Sequence, residues 1–233
     1  MARSFDLVDI KVAQANFFLG RLARSLDNAF EFHCFLSAFV SSCRSITYVL
    51  QSVMAGTPGF SAWYTERQEQ LRNSQCARYF HSVRRMDHHV GTMVLGPGRI
   101  DTNQYASKDV KFSFAASNDD PMPPAPQTDV LSACHQYYDE VAQVVNDCCV
   151  DFRIPIDPKL HFTQMNFDSL GESLSDAMEE VLGDSEAYLP ELQGINNQWL
   201  LLRELVWSTD LYARFEALKP KSAKESKKAD TQS

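Results

Sequence analysis

The segment 28–54 constrains the fold of this chain more than any other stretch. Its apolar residues recur at steps of three and four, which places them along one side of a helix. These residues are Phe32, Phe35, Phe39, Cys43, Ile46, Leu50 and Val53. Other apolar residues occupy most of the remaining surface, so that only a narrow polar stripe through His33, Ser37, Ser41, Arg44 and Gln51 is left. A helix that is apolar on nearly all sides is an interior helix with several neighbours.

The segments around this central helix predict an N-terminal four-helix bundle. Apolar periodicity indicates a first helix, capped by Ser4 or Asp6, that fades near Ser25. After the turn signal Gly-Thr-Pro-Gly at 56–59, a third helix is predicted at 60–73 with Ser61 as its cap, and a fourth at 75–89. Because the connections are short, we expect consecutive helices to lie antiparallel.

The remainder of the chain predicts a small antiparallel β insertion followed by further helices, which makes the fold mainly α. Val110, Phe112 and Phe114 alternate with polar residues, which is typical of a strand. Helices are predicted from Thr128 to before residue 154, at 168–183 and at 192–218. We therefore divide the chain into a bundle (1–91), a β hairpin with a proline-rich linker (92–127), C-terminal helices that pack on the bundle (128–218) and a disordered lysine-rich tail (219–233).

Charge and composition restrict the class of protein. The net charge of −8 argues against broad binding of nucleic acid backbones, so a polyanion would need a locally basic site. No run of about 18 apolar residues occurs and no secretory signal begins the chain, which predicts a cytoplasmic protein without a membrane partner. The six cysteines include no CxxC pair and fall mostly on apolar helix faces, which predicts buried, reduced thiols.

The segment 81–89 is the strongest candidate for a functional site because it holds three histidines, two arginines and one aspartate. An imidazole moves a proton near neutral pH and a guanidinium binds two phosphate oxygens, so Arg84 with His89 suits a phosphodiester. On a straight helix these two positions differ by about 140°. They therefore converge only if the helix loosens near Gly91 or a second subunit supplies one of them. The alternative is a solvated helix end.

Arg44 is the second candidate, since it interrupts an otherwise apolar helix. It either pairs with a carboxylate such as Glu31, Glu66 or Asp87, or lines the same pocket as Arg84 and His89. Metal binding is not predicted, because His81 and His88 lie two turns apart, about 10 Å, which is too far for both to bind one ion. No cofactor is predicted either.

The motif Arg84-Arg-Met-Asp-His-His89 resembles the Arg-x(4 to 6)-His motif of the HEPN superfamily of helical bundles. Its place after the long helix, and the sequence Phe-Ser-Ala-Trp-Tyr at 60–64, are also similar to members of that family. The resemblance, which covers residues 5–91, implies a homodimer that cleaves RNA without a metal, often in toxin–antitoxin or phage-defence systems. Arg84 would then position the phosphate and His89 would transfer a proton.

Two functions remain open at this stage. The first is a HEPN-like protein that binds RNA or a nucleotide and, in its active form, cleaves RNA. Arg84 and His89 would be its catalytic residues, and Arg44, Arg85 and His88 its binding residues. The resemblance adds an antitoxin-like protein as a further partner. The second is a non-catalytic structural or protein-interaction bundle.

Overall fold

The computed structural model describes residues 5–90, 95–102, 108–115, 122–183 and 197–205, with the backbone alone at 86–90, 100–102, 108 and 109. These residues form helices and one pair of strands, which confirms the predicted mainly helical fold with a small antiparallel β insertion. In chain order they are α1 (Asp6–Arg24), α2 (Ala29–Val53), α3 (Phe60–Asn73), α4 (Gln75–Val90), β1 (Leu95–Thr102), β2 (Lys108–Phe114), α5 (Val130–Asp151), α6 (Arg153–Ile156), α7 (Pro158–His161), α8 (Gln164–Leu170), α9 (Leu174–Leu182) and α10 (Gln198–Leu205).

Helices α1 and α2 form the first packed pair. The side chain of Asn28 accepts hydrogen bonds from the backbone N–H groups of Phe30 and Glu31, so Asn28 caps α2. The residue before α1 is Phe5, which makes no side-chain cap, so the cap predicted at Asp6 was wrong; Ser4 lies outside the described residues. The apolar face of α2 is buried, with Phe32, Phe39 and other core residues inaccessible to solvent.

Aromatic contacts join α2, α4 and α5. The ring of Phe80 stacks on that of Tyr137 with centroids 5.0 Å apart, and Tyr137 meets the Phe39 ring edge-on at 6.4 Å. Helix α3 begins after Gly59, whose φ of 80° is a left-handed conformation that favours glycine. Ser61 lies inside α3, so its predicted role as the cap was wrong.

The β hairpin covers part of this core. Its strands are antiparallel, and their register is irregular between Leu95 and Gly98. A Cβ atom at Gly96 would lie 2.7 Å from the backbone oxygen of Phe114, so only glycine fits at this crossing. The ring centroids of Phe112 and Phe32 are 4.6 Å apart, so strand β2 packs against α2.

The chain divides into two compact units, residues 1–148 and 149–233. Helix α5, which the sequence groups with the C-terminal helices, belongs to the first unit for nearly its whole length. Asp129 caps it, since its carboxylate accepts a hydrogen bond from the backbone N–H of Ser132. The start predicted at Thr128 was thus two residues early.

The second unit has its own small core. It contains Phe162, Phe167, Ala177, Met178 and Leu202. The single helix predicted at 168–183 was wrong, because Gly171 at φ 73° ends α8 and a capping box of Ser173 and Asp176 starts α9. Of the helix predicted at 192–218, the structure describes 197–205; the acidic stretch after Gly183 and the tail at 219–233 lie outside the described residues.

The cysteines confirm most of the predicted burial. None of the six forms a disulfide, and all except Cys34 are buried. Burial, helped by the charge of Glu140, raises the pKa of the Cys76 thiol to about 12, and burial raises the pKa values of Cys43 and Cys134 well above their ordinary value. Cys76 Sγ donates to the backbone oxygen of Ala133, a contact between α4 and α5.

Candidate anion-binding site

Arg44 projects from the middle of α2 without an acidic partner among the described side chains. Its guanidinium carbon lies 4.4 Å from the ring centroid of Tyr48, and Nη1 makes a long hydrogen bond of 3.4 Å to Thr47 Oγ1. Its Nε is buried and donates to none of the described residues. The predicted ion pair with Glu31 or Glu66 is therefore absent from the part of the chain that the structure describes, where the side chain of Asp87 is not included.

Helix α4 presents three basic side chains near Arg44. His81 lies three residues before Arg84 and four before Arg85, so the three share one side of the helix. Arg84 Nε is buried and, like that of Arg44, has no hydrogen-bond acceptor among the described residues, whereas Arg85 is exposed. We call Arg44, Arg84 and Arg85 the arginine cluster.

The charges of the arginine cluster act on His81. Partial burial lowers the pKa of this imidazole from its ordinary value of 6.5, and the positive charges of Arg44, Arg85 and Arg84 lower it further. Arg44 reaches His81 from a different helix, so the cluster is a tertiary feature and not a property of α4 alone. Both effects disfavour the protonated imidazole.

Helix α3 contributes an aromatic wall beside Arg44. The buried Tyr64 hydroxyl donates a hydrogen bond of 3.3 Å to the backbone oxygen of Thr47. Burial raises the pKa of Tyr64, while hydrogen bonds with Gln68, Thr47 and Gln51 and the charge of Arg44 oppose that rise. Arg44 thus lies against the exposed Tyr48 ring, and its charge acts on the buried Tyr64 hydroxyl of the neighbouring helix.

The backbone of α4 does not bring Arg84 and His89 together as the prediction required. Helix α4 continues through Val90, so it does not loosen before His89, and positions 84 and 89 remain about 140° apart around the axis. The side chains of His88 and His89 lie outside the described residues. His88 follows His81 by seven positions and so shares its side of the helix. A catalytic pairing of Arg84 with His89 stays a prediction that requires a second subunit.

Sequence reasoning missed the residues that surround Arg44. His81 was noted as one of the histidines of the segment 81–89 and as a rejected metal ligand, and Tyr48 was not singled out. The spacing of Arg44 and Tyr48, four positions apart on one helix, was the signal that could have found their stacking. Tyr64 gave no such signal, since it meets Thr47 from a different helix.

The described residues contain no group of three or more His, Cys, Asp or Glu side chains placed to hold a metal ion. A cavity of about 470 Å³ lies elsewhere, between the hairpin and the start of α5. Its lining includes Lys111, Phe112 and Asp129, and none of the arginine cluster. No helix among the described residues has the length and apolar character needed to cross a membrane.

Comparison with known proteins corrects the predicted family. No match was found among curated proteins or among solved structures. The family model of bacteriophage lambda protein ea47 matches residues 5–129, whereas no HEPN family matches. The HEPN resemblance was wrong because it rested on a short motif of polar residues at a helix end, and the dimer, nuclease and antitoxin partner that it implied lose that support. Since the match spans more than half of the chain, from α1 to the residue before α5, the protein belongs to the bacteriophage lambda protein ea47 family.

Proposed function

We propose that this protein binds single-stranded RNA, and that the arginine cluster holds its phosphates. The observation that carries the proposal is that Arg44 and Arg84, on two packed helices, each bury an Nε atom without an acceptor, and that neither is paired with a carboxylate among the described side chains. In a chain of net charge −8, such a concentration of unpaired cations is a local exception. A bound anion would neutralise it.

The energetics favour a phosphate as this anion. A buried donor without a partner costs about 1–3 kcal/mol, and both Arg44 and Arg84 bury such an Nε atom. A guanidinium presents its donors in a planar fork that matches two phosphate oxygens, which a lysine ammonium does not. A phosphate placed between α2 and α4 would therefore recover free energy that the folded protein now lacks.

Tyr48 favours RNA over a free phosphate. Its ring is 48% exposed and lies against the Arg44 guanidinium, so a base has an aromatic face beside the proposed phosphate site. The small number of cations predicts a modest dependence on salt. For three phosphate contacts with a single strand, the slope of log K against log salt is about −2, from roughly −0.7 for each contact.

Fluorescence anisotropy with a labelled single-stranded RNA tests the proposal. We expect Arg44→Met and Arg84→Met each to weaken binding by at least about tenfold and to make the salt slope shallower by about 0.7. Arg72→Met is the matched control, because Arg72 is an exposed arginine of α3 that pairs with Glu69. Equal affinity of wild type, Arg44→Met and Arg72→Met would refute the site.

Cleavage of the bound RNA is the further part of this proposal and is tested separately. Wild type and His89→Ala are incubated with the same RNA in the presence of a chelator, and the products are separated on a denaturing gel. Cleavage by wild type alone would support proton transfer by His89. Intact RNA with both proteins, together with normal binding, would leave the arginine cluster as a binding site only.

A further inference from the structure

The partly buried charges of the arginine cluster determine how much negative charge a ligand must bring. Arg44 and Arg84 each bury an Nε atom that has no acceptor among the described residues, and their helices α2 and α4 pack together. Arg85 is exposed, so water already solvates its charge. A ligand that binds between α2 and α4 therefore has to neutralise the charges of both Arg44 and Arg84.

The two kinds of phosphate in an RNA strand differ in charge. A phosphodiester inside the strand carries a single negative charge. A phosphomonoester at the end of the strand carries about −1.5 to −2 at pH 7 and presents three acceptor oxygens. The terminal phosphate thus matches the charge of a pair of guanidinium groups, whereas an internal phosphate leaves one of them without a counter-charge.

The geometry of the guanidinium group favours the same phosphate. Each guanidinium fork binds two oxygens side by side. On a phosphodiester, the forks of Arg44 and Arg84 would compete for the same pair of non-bridging oxygens, whereas the three oxygens of a monoester let them share only one. The present hydrogen bond of Arg44 Nη1 to Thr47 Oγ1 is 3.4 Å long, so a shorter bond to a phosphate oxygen can replace it.

Tyr48 provides a stacking surface for one base beside the cluster. This residue is 48% exposed, and the Arg44 guanidinium carbon lies over one face of its ring, 4.4 Å from the centroid. The opposite face is left for a base. Tyr64, whose hydroxyl is reached by the charge of Arg44, is buried and offers no second stacking surface. This arrangement fits one nucleotide at the end of a strand better than a run of several nucleotides.

We propose that the arginine cluster binds the terminal phosphomonoester of an RNA strand, at its 5′ or its 3′ end. Arg44 and Arg84 hold that phosphate, Tyr48 stacks on the terminal base, and the exposed Arg85 contacts the next phosphate. This inference rests on the proposed RNA binding and specifies which part of the strand is held. The net charge of −8 disfavours contact with the rest of the strand, so binding stays confined to the end.

Isothermal titration calorimetry with unlabelled RNAs of one short sequence tests this preference. The three ligands are a strand with a 5′ phosphate, a strand with a 3′ phosphate and a strand with hydroxyl groups at both ends. We expect one phosphorylated strand to bind at least about tenfold more tightly than the hydroxyl strand, because it adds charge-assisted hydrogen bonds. The preferred strand assigns the end. Inorganic phosphate should bind more weakly than that strand, because it has no base to stack on Tyr48.

Substitutions separate the terminal phosphate from the rest of the strand. Arg44→Met and Arg84→Met should each reduce the preference for the phosphorylated strand to less than about twofold. Arg85→Met should weaken the binding of phosphorylated and hydroxyl strands by a similar factor and so keep the preference. Arg72→Met is again the matched control, because Arg72 pairs with Glu69 on α3, and it should bind as wild type does.

The outcomes distinguish this proposal from RNA binding itself. Equal affinity for all three strands, each weakened by Arg44→Met, would overturn the terminal preference and leave the arginine cluster as an RNA-binding site. A preference that persists in both Arg44→Met and Arg84→Met, or inorganic phosphate that binds as tightly as the phosphorylated strand, would also overturn it. If none of the strands binds, both proposals are refuted.

Discussion

Replacing Arg44 with methionine is expected to stabilise the protein, in contrast to most substitutions of partly buried residues. Methionine keeps the aliphatic stem but removes the charge and the unpaired Nε donor. In the wild-type native state, that buried donor costs about 1–3 kcal/mol. The loss is the cation–π contact with Tyr48, worth about 0.5–1 kcal/mol, and a hydrogen bond that is already long at 3.4 Å. We therefore expect the free energy of unfolding to rise by about 1 kcal/mol.

Arg67 provides the matched comparison within the same unit. It also lies over an aromatic ring, 5.1 Å from the centroid of Trp63, but its Nε is 3.3 Å from Asp147 Oδ2. These two side chains are 20% and 29% exposed, so the ion pair is partly shielded from water. Arg67→Met leaves Asp147 without this cation and should lower the free energy of unfolding by about 1 kcal/mol.

Urea unfolding followed by far-UV circular dichroism measures both variants. The expected result is a higher midpoint for Arg44→Met and a lower midpoint for Arg67→Met, relative to wild type. Adding inorganic phosphate should raise the midpoint of wild type more than that of Arg44→Met. If Arg44→Met is destabilised as much as Arg67→Met, Arg44 has a structural partner and the reasoning about an unpaired cation is refuted.

Three further predictions concern the same unit. Because the pKa of His81 is lowered from 6.5, the unfolded chain binds more protons at this residue than the folded protein does. The free energy of unfolding should therefore rise as the pH is raised from the lowered pKa to 6.5. In urea unfolding, His81→Gln should flatten this rise of the midpoint, and an unchanged rise would contradict the assignment. Phe80→Ala should cost about 3–5 kcal/mol in urea unfolding, since Phe80 is fully buried against Tyr137, and a loss below about 1 kcal/mol would disprove that packing. Asn28→Ala should cost about 1 kcal/mol in thermal or urea unfolding while Asn28→Asp retains the cap; equal losses would exclude the capping role.

The helices were predictable from the sequence where their signals are local. Asn28 caps α2 through its own neighbours, and the helix predicted at 75–89 is α4, Gln75–Val90. The prediction failed at 168–183, because the apolar spacing of Leu170 and Leu174 continued across a break made by Gly171. A left-handed glycine and a new capping box there outweigh periodicity.

The candidate site was only partly predictable because it is assembled from separate helices. The sequence identified Arg44 because it interrupts an apolar helix, and Arg84 and Arg85 because they lie in the segment 81–89, which is rich in arginine and histidine. It did not identify His81 as the point on which they converge, because that depends on how α2 packs against α4. The same limit applies to His161, which lies 3.1 Å from Glu180 across 19 residues of chain, a pairing that no local pattern indicated.

Because five of the six cysteines are buried, their alkylation measures how often the helices open. Alkylating reagents attack the thiolate form, so the buried cysteines, three of which have pKa values raised by their surroundings, stay unmodified while the helices hold together. Cys34 alone is open to the reagent in the native state. Intact mass spectrometry after a timed exposure to iodoacetamide would thus show one adduct that forms rapidly. The rate at which each later adduct forms would report the rate of the local opening that exposes a buried thiol.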